Sequence, residues 1–276
     1  MVNVLIAVLV LAVLGLVLGG LIGFTAKKFA VQADPRIEEI TELLPGANCG
    51  GCGYAGCADF ARAIVEDGVS PSGCVVVAED VLETIAKAAG QETGKRERKV
   101  AVVYCSGDND HAVHVAMYNG LNDCRAAAAL SGAGKGCRFG CIGLGSCARN
   151  CSFGAIEIRN GLAMVHSDLC KGCGKCTDIC PRKLIHLVPA DSQAHVYCNS
   201  LDKGPVKRKK CSAGCLACRK CVKAAPDIFS AQSFLVRARE GAEIPDELIA
   251  SIKCPTGALH SVESHLSRGK EKEGAA

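Results

Sequence analysis

Four cysteines in the middle of the chain constrain its fold more than any other feature. Cys170, Cys173, Cys176 and Cys180 have the spacing C-x2-C-x2-C-x3-C, and Pro181 follows the last of them. In bacterial proteins with this spacing, three of the thiolates hold one [4Fe-4S] cluster and the fourth reaches a second cluster. Zinc sites usually draw their cysteines from two separated C-x2-C pairs. The run therefore predicts iron–sulfur clusters, and with them the ability to carry electrons.

The composition agrees with a reduced, cluster-binding protein. The 276 residues include 20 cysteines and no tryptophan. In a short secreted chain so many cysteines would indicate disulfides. Here they fall into closely spaced runs, which indicates reduced thiols on the cytosolic side of a membrane.

Basic residues are concentrated in two stretches, although the net charge is only +4. Residues 95–99 are best explained as a solvated linker. Residues 203–210 could balance the negative charge of a nearby cluster, and such a patch could also steer an acidic redox partner. Neither stretch is interleaved with aromatic residues, so we expect no nucleic-acid binding.

The N-terminal segment has the composition of a transmembrane helix. Residues 2–26 carry no charged side chain, and about twenty apolar residues suffice to span a bilayer. No basic region precedes the apolar run, as it would in a secretory signal peptide. Lys27 and Lys28 follow it directly, which by the positive-inside rule places the rest of the chain in the cytoplasm. We predict a single-pass anchor in the cytoplasmic (inner) membrane; the alternative is a long buried helix.

Gly15, Gly19 and Gly23 lie on one face of this predicted helix. Small residues at this spacing let another membrane helix approach closely, so the anchor is expected to dock on other membrane subunits. The alternative is that glycine is simply frequent in membrane helices.

The sequence predicts small α+β iron–sulfur domains on a single N-terminal transmembrane helix. An α-helical 4Fe-4S domain would be followed by ferredoxin-like modules, each built from a β-hairpin and a short helix. The predicted segments are a transmembrane anchor (1–27), the N-terminal 4Fe-4S domain (28–92), a charged linker (93–99), a two-cluster ferredoxin-like domain (100–190), a second, depleted ferredoxin-like domain (191–262) and a disordered tail (263–276). Apolar periodicity predicts helices over 37–44, 60–65, 75–89 and 245–252, and strands over 100–104, 155–158, 163–165 and 184–188.

The first group of candidate ligands lies in the N-terminal domain. Cys49, Cys52, Cys57 and Cys74 have the spacing C-x2-C-x4-C-x16-C, with several glycines between the first three. Glycine lets the backbone wrap closely around a cluster and aim N–H groups at its sulfides. We expect one cluster here, and a zinc ion is the alternative.

A second frame precedes the complete one. Cys141, Cys147 and Cys151 follow the same spacing, with Leu144 in place of the second cysteine. In a two-cluster ferredoxin the last cysteine of each frame crosses to the other cluster, so Cys151 should complete the set of Cys170, Cys173 and Cys176. The set of Cys141, Cys147 and Cys180 lacks one ligand. Cys137 is the nearest candidate in the sequence, and Cys105 or Cys124 could also serve.

A third frame contains Cys215, Cys218 and Cys221, with Ala225 where its last cysteine would stand. Cys254, which precedes a proline, is the remnant of a fourth frame and can complete one cluster. The second cluster of this module should therefore be absent.

The segments before the frames also repeat. Val-Tyr-Cys at 103–105 precedes Cys137 and Cys141, and Val-Tyr-Cys at 196–198 precedes Cys211 and Cys215. Sixteen cysteines fill four clusters, and the remaining four are either a further metal site or buried structural thiols: Cys105, Cys124, Cys198 and Cys211.

Together these features resemble the B subunits of Rnf electron transport complexes over nearly the whole chain. The resemblance rests on Gly-Phe-Thr-Ala-Lys-Lys-Phe-Ala at the end of the anchor, Leu-Leu-Pro-Gly at 43–46 and Cys-Gly-Gly-Cys-Gly-Tyr-Ala-Gly-Cys at 49–57. Asp-Cys-Arg-Ala-Ala from 123 and Gly-Cys-Ile-Gly-Leu-Gly-Ser-Cys from 140 are similar to the longer form found in anaerobes. The chain departs from the family at Ser152, where proline is expected, and at Ala225.

The resemblance implies an electron entry subunit. Reduced soluble ferredoxin would dock on the cytoplasmic part, and electrons would pass through about four, or five, [4Fe-4S] clusters toward membrane subunits. The complex would reduce NAD+ at another subunit and export Na+ or H+, which makes it a translocase. No nucleotide or substrate chemistry is expected on this chain alone, since it lacks a nucleotide-binding glycine fingerprint after a strand. The alternatives are a reductive activator of another enzyme system, such as a corrinoid protein, and a zinc-stabilised interaction protein.

Overall fold

A long exposed helix precedes three small cysteine-rich units in the computed structural model, which describes residues 2–28, 34–94, 96–130, 132–239 and 241–268. Helix α1 (Val2–Lys28) ends with Lys27 and Lys28, the two lysines that follow the apolar run. Its stretch Val2–Thr25 is long and apolar enough to cross a membrane, with a mean hydropathy of 3.0. Leu16 and Phe24 are 78% and 67% exposed. The alternative of a helix buried within this chain is therefore wrong.

The N-terminal unit is formed by three helices and one 3-10 turn: α2 (Pro35–Leu43), α3 (Cys57–Glu66), the turn Pro71–Gly73 and α4 (Glu79–Ala89). Asp34 caps α2 by accepting a hydrogen bond of 2.9 Å from the Arg36 N–H, and Pro35 occupies the first helical position. Ile40, Phe60 and Ile85 meet in a shared core.

Helix α4 begins four residues later than the sequence predicts. Residues 75–77 are three successive valines, and β-branched side chains favour extended backbone. Val77 is 4% exposed and packs into the core from this non-helical position. The helix ends at Gly90, whose φ of 69° is the left-handed conformation that glycine adopts at helix ends.

The second unit has the hairpin and short helices that the sequence predicts for a ferredoxin-like module, together with an added strand. Its elements are β1 (Lys99–Val103), α5 (Cys124–Ala129), α6 (Ser146–Arg149), β2 (Ile156–Arg159), β3 (Leu162–Val165), α7 (Lys175–Ile179) and β4 (Ile185–Pro189). Strands β2 and β3 form an antiparallel hairpin. Strand β1 pairs antiparallel with β4, with Lys99 opposite Pro189.

The third unit repeats this arrangement. Its elements are β5 (Ala194–Val196), α8 (Gly204–Lys210), α9 (Lys220–Ala224), β6 (Phe229–Gln232), β7 (Leu235–Ala238), α10 (Asp246–Ile252), β8 (Leu259–Ser261) and α11 (Val262–Ser267). Strands β6 and β7 form the hairpin, and β5 pairs antiparallel with β8. In both modules a strand before the cysteine frames pairs with the last strand, which supports the predicted duplication.

Two segments differ from the prediction. The tail predicted to be disordered from residue 263 begins as helix α11. Ser261 caps this helix by accepting a hydrogen bond of 3.2 Å from the Ser264 N–H, and His265 is buried. Residues 269–276 lie outside the described part.

In the predicted solvated linker, Arg96 is half-buried and donates hydrogen bonds to the carbonyl oxygens of Cys74 and Val77. This linker segment is attached to the N-terminal unit.

Phe60 is 1% exposed at the centre of the N-terminal core. Replacing it with alanine should lower the free energy of local opening of α2–α4 by about 3–5 kcal/mol, because a cavity replaces a buried ring. Amide hydrogen exchange on the full chain measures this, and exposed Glu83→Ala is the control. Unchanged exchange in Phe60→Ala would contradict the described packing.

Candidate iron–sulfur sites

Site I is the set of Cys49, Cys52, Cys57 and Cys74 in the N-terminal unit. Cys57 begins α3, and its N–H donates a hydrogen bond of 2.8 Å to Oδ1 of Asn48. Burial raises the pKa of the Cys74 thiol, and the neighbouring thiols of Cys52 and Cys49 add to the rise. Two ligands of the tight loop thus lie near the distant fourth cysteine.

Site II is the set of Cys151, Cys170, Cys173 and Cys176, which line one cavity of about 20 Å³. Strand β1 supports it, since the Ala101 N–H donates a hydrogen bond of 3.3 Å to Sγ of Cys170. Burial, reinforced by the neighbouring thiols, raises the pKa of Cys176 to about 12. The crossover arrangement predicts this same set from the sequence.

Site III is the set of Cys124, Cys141, Cys147 and Cys180, which line a second cavity of about 20 Å³. Cys124 is the residue that joins the three predicted members. Burial raises the pKa of Cys147 to about 12, and among the neighbouring thiols Cys124 contributes most. Cys137, the nearest candidate in the sequence, lines a different cavity together with Cys105, Cys198 and Cys211.

A hydrogen-bond network holds Cys124 in site III. Asp123 caps α5 by accepting hydrogen bonds of 2.9 Å from the N–H groups of Arg125 and Ala126. Ser146, next to Cys147, donates a hydrogen bond of 2.9 Å to Asp123 and accepts one of 2.8 Å from the Cys124 N–H. These hydrogen bonds hold the pKa of Asp123 below its usual value. The Asp-Cys pair was visible in the sequence, but its spatial partner Ser146 was not.

Site IV is the set of Cys215, Cys218, Cys221 and Cys254, which line a third cavity of about 20 Å³. Helix α9 carries Cys221, and Cys254 follows α10. Cys218 is exposed, unlike Cys215 and Cys221. The sequence predicts this grouping from the remnant of the fourth frame.

Sites I and II approach each other closely. A Cβ atom on Gly51 would lie 3.1 Å from Cα and Cβ of Cys173. After burial, the thiol of Cys49 is the neighbouring thiol that raises the pKa of Cys173 most. Gly51 therefore permits a contact between the N-terminal unit and the first ferredoxin-like module.

The chemistry of these sets suits iron–sulfur clusters. Burial raises the pKa of the thiols of Cys74, Cys147 and Cys176, so these cysteines are protonated at neutral pH when free and release protons when they bind metal. Among the described residues, no group of three or more His, Cys, Asp or Glu side chains is close enough to hold a single metal ion. At sites II, III and IV, four thiols instead line one small and mostly apolar cavity, which is the environment of a thiolate-ligated cluster.

The fold and these cysteine sets define an iron–sulfur electron-transfer protein. The family model described as "Putative Fe-S cluster" matches residues 44–76, and the model described as "4Fe-4S binding domain" matches residues 163–186. These matches contain site I and the complete cysteine frame of sites II and III.

Similar curated proteins identify the family. The chain is 40% identical to the B subunit of the ion-translocating oxidoreductase complex of Methanosarcina acetivorans, over 80% of this chain and 84% of the relative. It is 37% identical to the B subunit of the proton-translocating ferredoxin:NAD(+) oxidoreductase complex of Clostridium ljungdahlii, over 99% of both. It is 41% identical to the B subunit of the Na(+)-translocating ferredoxin:NAD(+) oxidoreductase complex of Acetobacterium woodii, over 77% of this chain and 64% of the relative. The chain belongs to the B subunits of Rnf complexes.

If Cys124 and Cys147 serve one site, removing both should cost no more than one cluster. The variant Cys124→Ala/Cys147→Ala should lose about four irons per chain, as measured by iron and acid-labile sulfide analysis. Cys124→Ala alone should show the same loss, because one missing thiolate already opens the site. The exposed Ala129→Ser on α5 is the control, and a full iron content in Cys124→Ala together with a loss in Cys147→Ala would exclude Cys124 as a ligand of site III.

Proposed function

We propose that this chain is the electron-transfer subunit of a membrane-bound Rnf complex. It accepts electrons from reduced ferredoxin and passes them toward the membrane subunits. NAD+ reduction and the translocation of Na+ or H+ take place elsewhere in the complex. The observation that carries this proposal is the succession of four-cysteine sites on a chain of this family, behind a helix long enough to cross a membrane.

In this proposal, each of the sites I to IV holds one [4Fe-4S] cluster through its four cysteines. A bound cluster supplies one-electron redox chemistry, with a potential set by amide hydrogen bonds and solvent access. The residues of the chain provide the thiolates, exclude water and donate N–H groups to sulfur, as Ala101 does at Cys170. Sixteen cysteines serve in this way: Cys49, Cys52, Cys57, Cys74, Cys124, Cys141, Cys147, Cys151, Cys170, Cys173, Cys176, Cys180, Cys215, Cys218, Cys221 and Cys254.

The order of the sites along the molecule suggests a direction. Site I is the first after the single-pass anchor, and we propose that it faces the membrane subunits from the cytoplasmic side. Site IV lies in the last module, where the Cys218 thiol is exposed. Arg219, Lys220 and Lys223 are exposed beside it and would attract an acidic ferredoxin. Ferredoxin therefore docks at site IV in this proposal.

Iron and acid-labile sulfide analysis of the anaerobically purified full chain tests the function first. We expect at least about sixteen irons with matching sulfide, together with EPR signals after reduction with ferredoxin. A protein that holds zinc and little iron would instead be the zinc-stabilised interaction protein. A protein that contains iron but is not reduced by ferredoxin would instead favour an activator of another enzyme system.

Reversing one charge beside site IV tests the docking face. Lys220→Glu should raise the KM for reduced ferredoxin about tenfold at low ionic strength, because steering by the basic patch is lost. The difference from wild type should shrink as salt is added. Lys87 is an exposed lysine on α4, far from site IV in the sequence. The variant Lys87→Glu makes the same charge change and should leave the KM unchanged. Equal effects of the two variants would contradict docking at site IV.

Gly51→Val tests the contact between sites I and II. The larger side chain cannot fit against Cys173, so the two units should separate and electron delivery to the membrane subunits should slow. Iron content should stay at the wild-type value, since no ligand changes. Ala55→Val, exposed in the same loop, is the control; an unchanged rate in Gly51→Val would exclude this contact as part of the path.

A further inference from the structure

A cavity between the two ferredoxin-like modules is lined by the four cysteines outside sites I to IV. Cys105, Cys137, Cys198 and Cys211 surround a space of about 30 Å³. The cavities of sites II, III and IV measure about 20 Å³ each. The cavity between the modules is thus at least as large as the cavities of sites II, III and IV.

The duplication of the chain explains why these four residues meet. Cys105 and Cys198 follow β1 and β5 at equivalent places in the two modules. Cys137 and Cys211 each stand four residues before the frame of their own module, which begins at Cys141 or Cys215. Each module therefore contributes one matching pair of cysteines to the shared cavity.

Hydrogen bonds hold the two pairs face to face. The N–H of Val113 donates a hydrogen bond of 2.9 Å to the carbonyl oxygen of Lys210, and the N–H of Ser212 donates one of 2.9 Å to that of His111. This backbone pairing places Cys211 beside the loop that follows Cys105. A Cβ atom on Gly107 would lie 3.1 Å from Sγ of Cys211 and 3.7 Å from Sγ of Cys105. The two sulfur atoms therefore approach the same point from different modules.

Two buried lysines line the same cavity. Lys135 and Lys207 are 4% and 2% exposed. Their ammonium groups contact backbone carbonyl oxygens: Lys135 that of Gly161 at 3.3 Å, and Lys207 those of Cys215, at 2.9 Å, and Phe234. Among the described ion pairs neither lysine has a carboxylate partner. Burying a cation is costly without a nearby negative charge, and a thiolate-ligated cluster supplies one.

We propose that Cys105, Cys137, Cys198 and Cys211 bind a fifth [4Fe-4S] cluster at the junction of the two modules. Among the described residues, no group of three or more His, Cys, Asp or Glu side chains is close enough to hold a single metal ion, so these four thiols are not gathered as a zinc site gathers them. The cavity and its two cations suit a larger, negatively charged group. This inference rests on the proposed electron-transfer function and adds one redox centre to it.

The position of the fifth site gives it a role. The Cys141 N–H donates a hydrogen bond of 3.4 Å to Sγ of Cys105, so site III is one backbone contact away. On the other side, Cys198 and Cys215 of site IV lie in the same buried core, and Lys207, which lines the cavity, donates a hydrogen bond of 2.9 Å to the carbonyl oxygen of Cys215. The fifth site thus connects site IV to site III. A cluster held by these four cysteines would supply a one-electron redox centre between the two sites, and no atom would be transferred.

Pairwise removal of the cysteines tests the proposal on the full chain, purified anaerobically and reconstituted with iron and sulfide. Wild type should contain about twenty irons. Cys198→Ala/Cys211→Ala should contain about sixteen, with the EPR signals of the other clusters retained. Cys105→Ala/Cys137→Ala and the variant with all four substitutions should show the same loss, because all four residues serve one site. Ser212→Ala, an exposed neighbour of Cys211, should retain the full iron content.

The contrary outcomes are distinct. About sixteen irons in wild type and no loss in the double variants would overturn the fifth site and leave the electron-transfer function intact. Loss of about eight irons on removing all four cysteines would place the two pairs in separate sites and overturn it as well. Loss of about one zinc in place of iron would make the site structural. Wild type without iron would defeat the proposed function itself.

Discussion

Ligation by buried cysteine thiolates is the interaction on which the rest of this structure depends. The two ferredoxin-like modules have short strands and helices of four to seven residues, and their cores include cysteines among the aliphatic residues. Bound clusters would link loops that lie far apart in the sequence, as those of Cys124 and Cys180 do at site III. Cluster binding and folding are therefore expected to be coupled.

Electrostatics around the sites follows from the same ligation. Clusters with four thiolates are anionic, and the chain places cations where such charge would be buried. Arg182 lies near site III, where burial lowers its pKa and the thiols of Cys137 and Cys180 oppose that shift. Arg237 stacks over the Tyr104 ring at 4.2 Å and donates a hydrogen bond of 2.6 Å to Asn199. Such buried cations also affect the potential of a nearby cluster.

Local patterns in the sequence predicted local structure well. The hairpin of β2 and β3, helix α10 before Cys254 and the apolar N-terminal helix all depend on residues close together in the chain. Residues 75–78 were wrongly included in a helix because apolar periodicity does not distinguish a core loop of valines from a helical turn. Helix α11 was missed because, besides its local cap, it is anchored by distant residues: Tyr197 stacks on His265, and Arg159 donates a hydrogen bond to the carbonyl oxygen of Leu266.

The sequence by itself determined the iron–sulfur class of the protein and its family, and it predicted the grouping of four cysteines at site II, since each depends on the spacing of the cysteine frames. Only the tertiary structure decided that Cys124 joins site III and that Cys137 lies with Cys105, Cys198 and Cys211. These groupings depend on the hydrogen bonds of Ser146 with Asp123 and Cys124, and on the backbone pairing of Val113 with Lys210, which is about a hundred residues further along the chain. Spacing along the chain cannot reveal such neighbours, because the folded backbone alone brings them together.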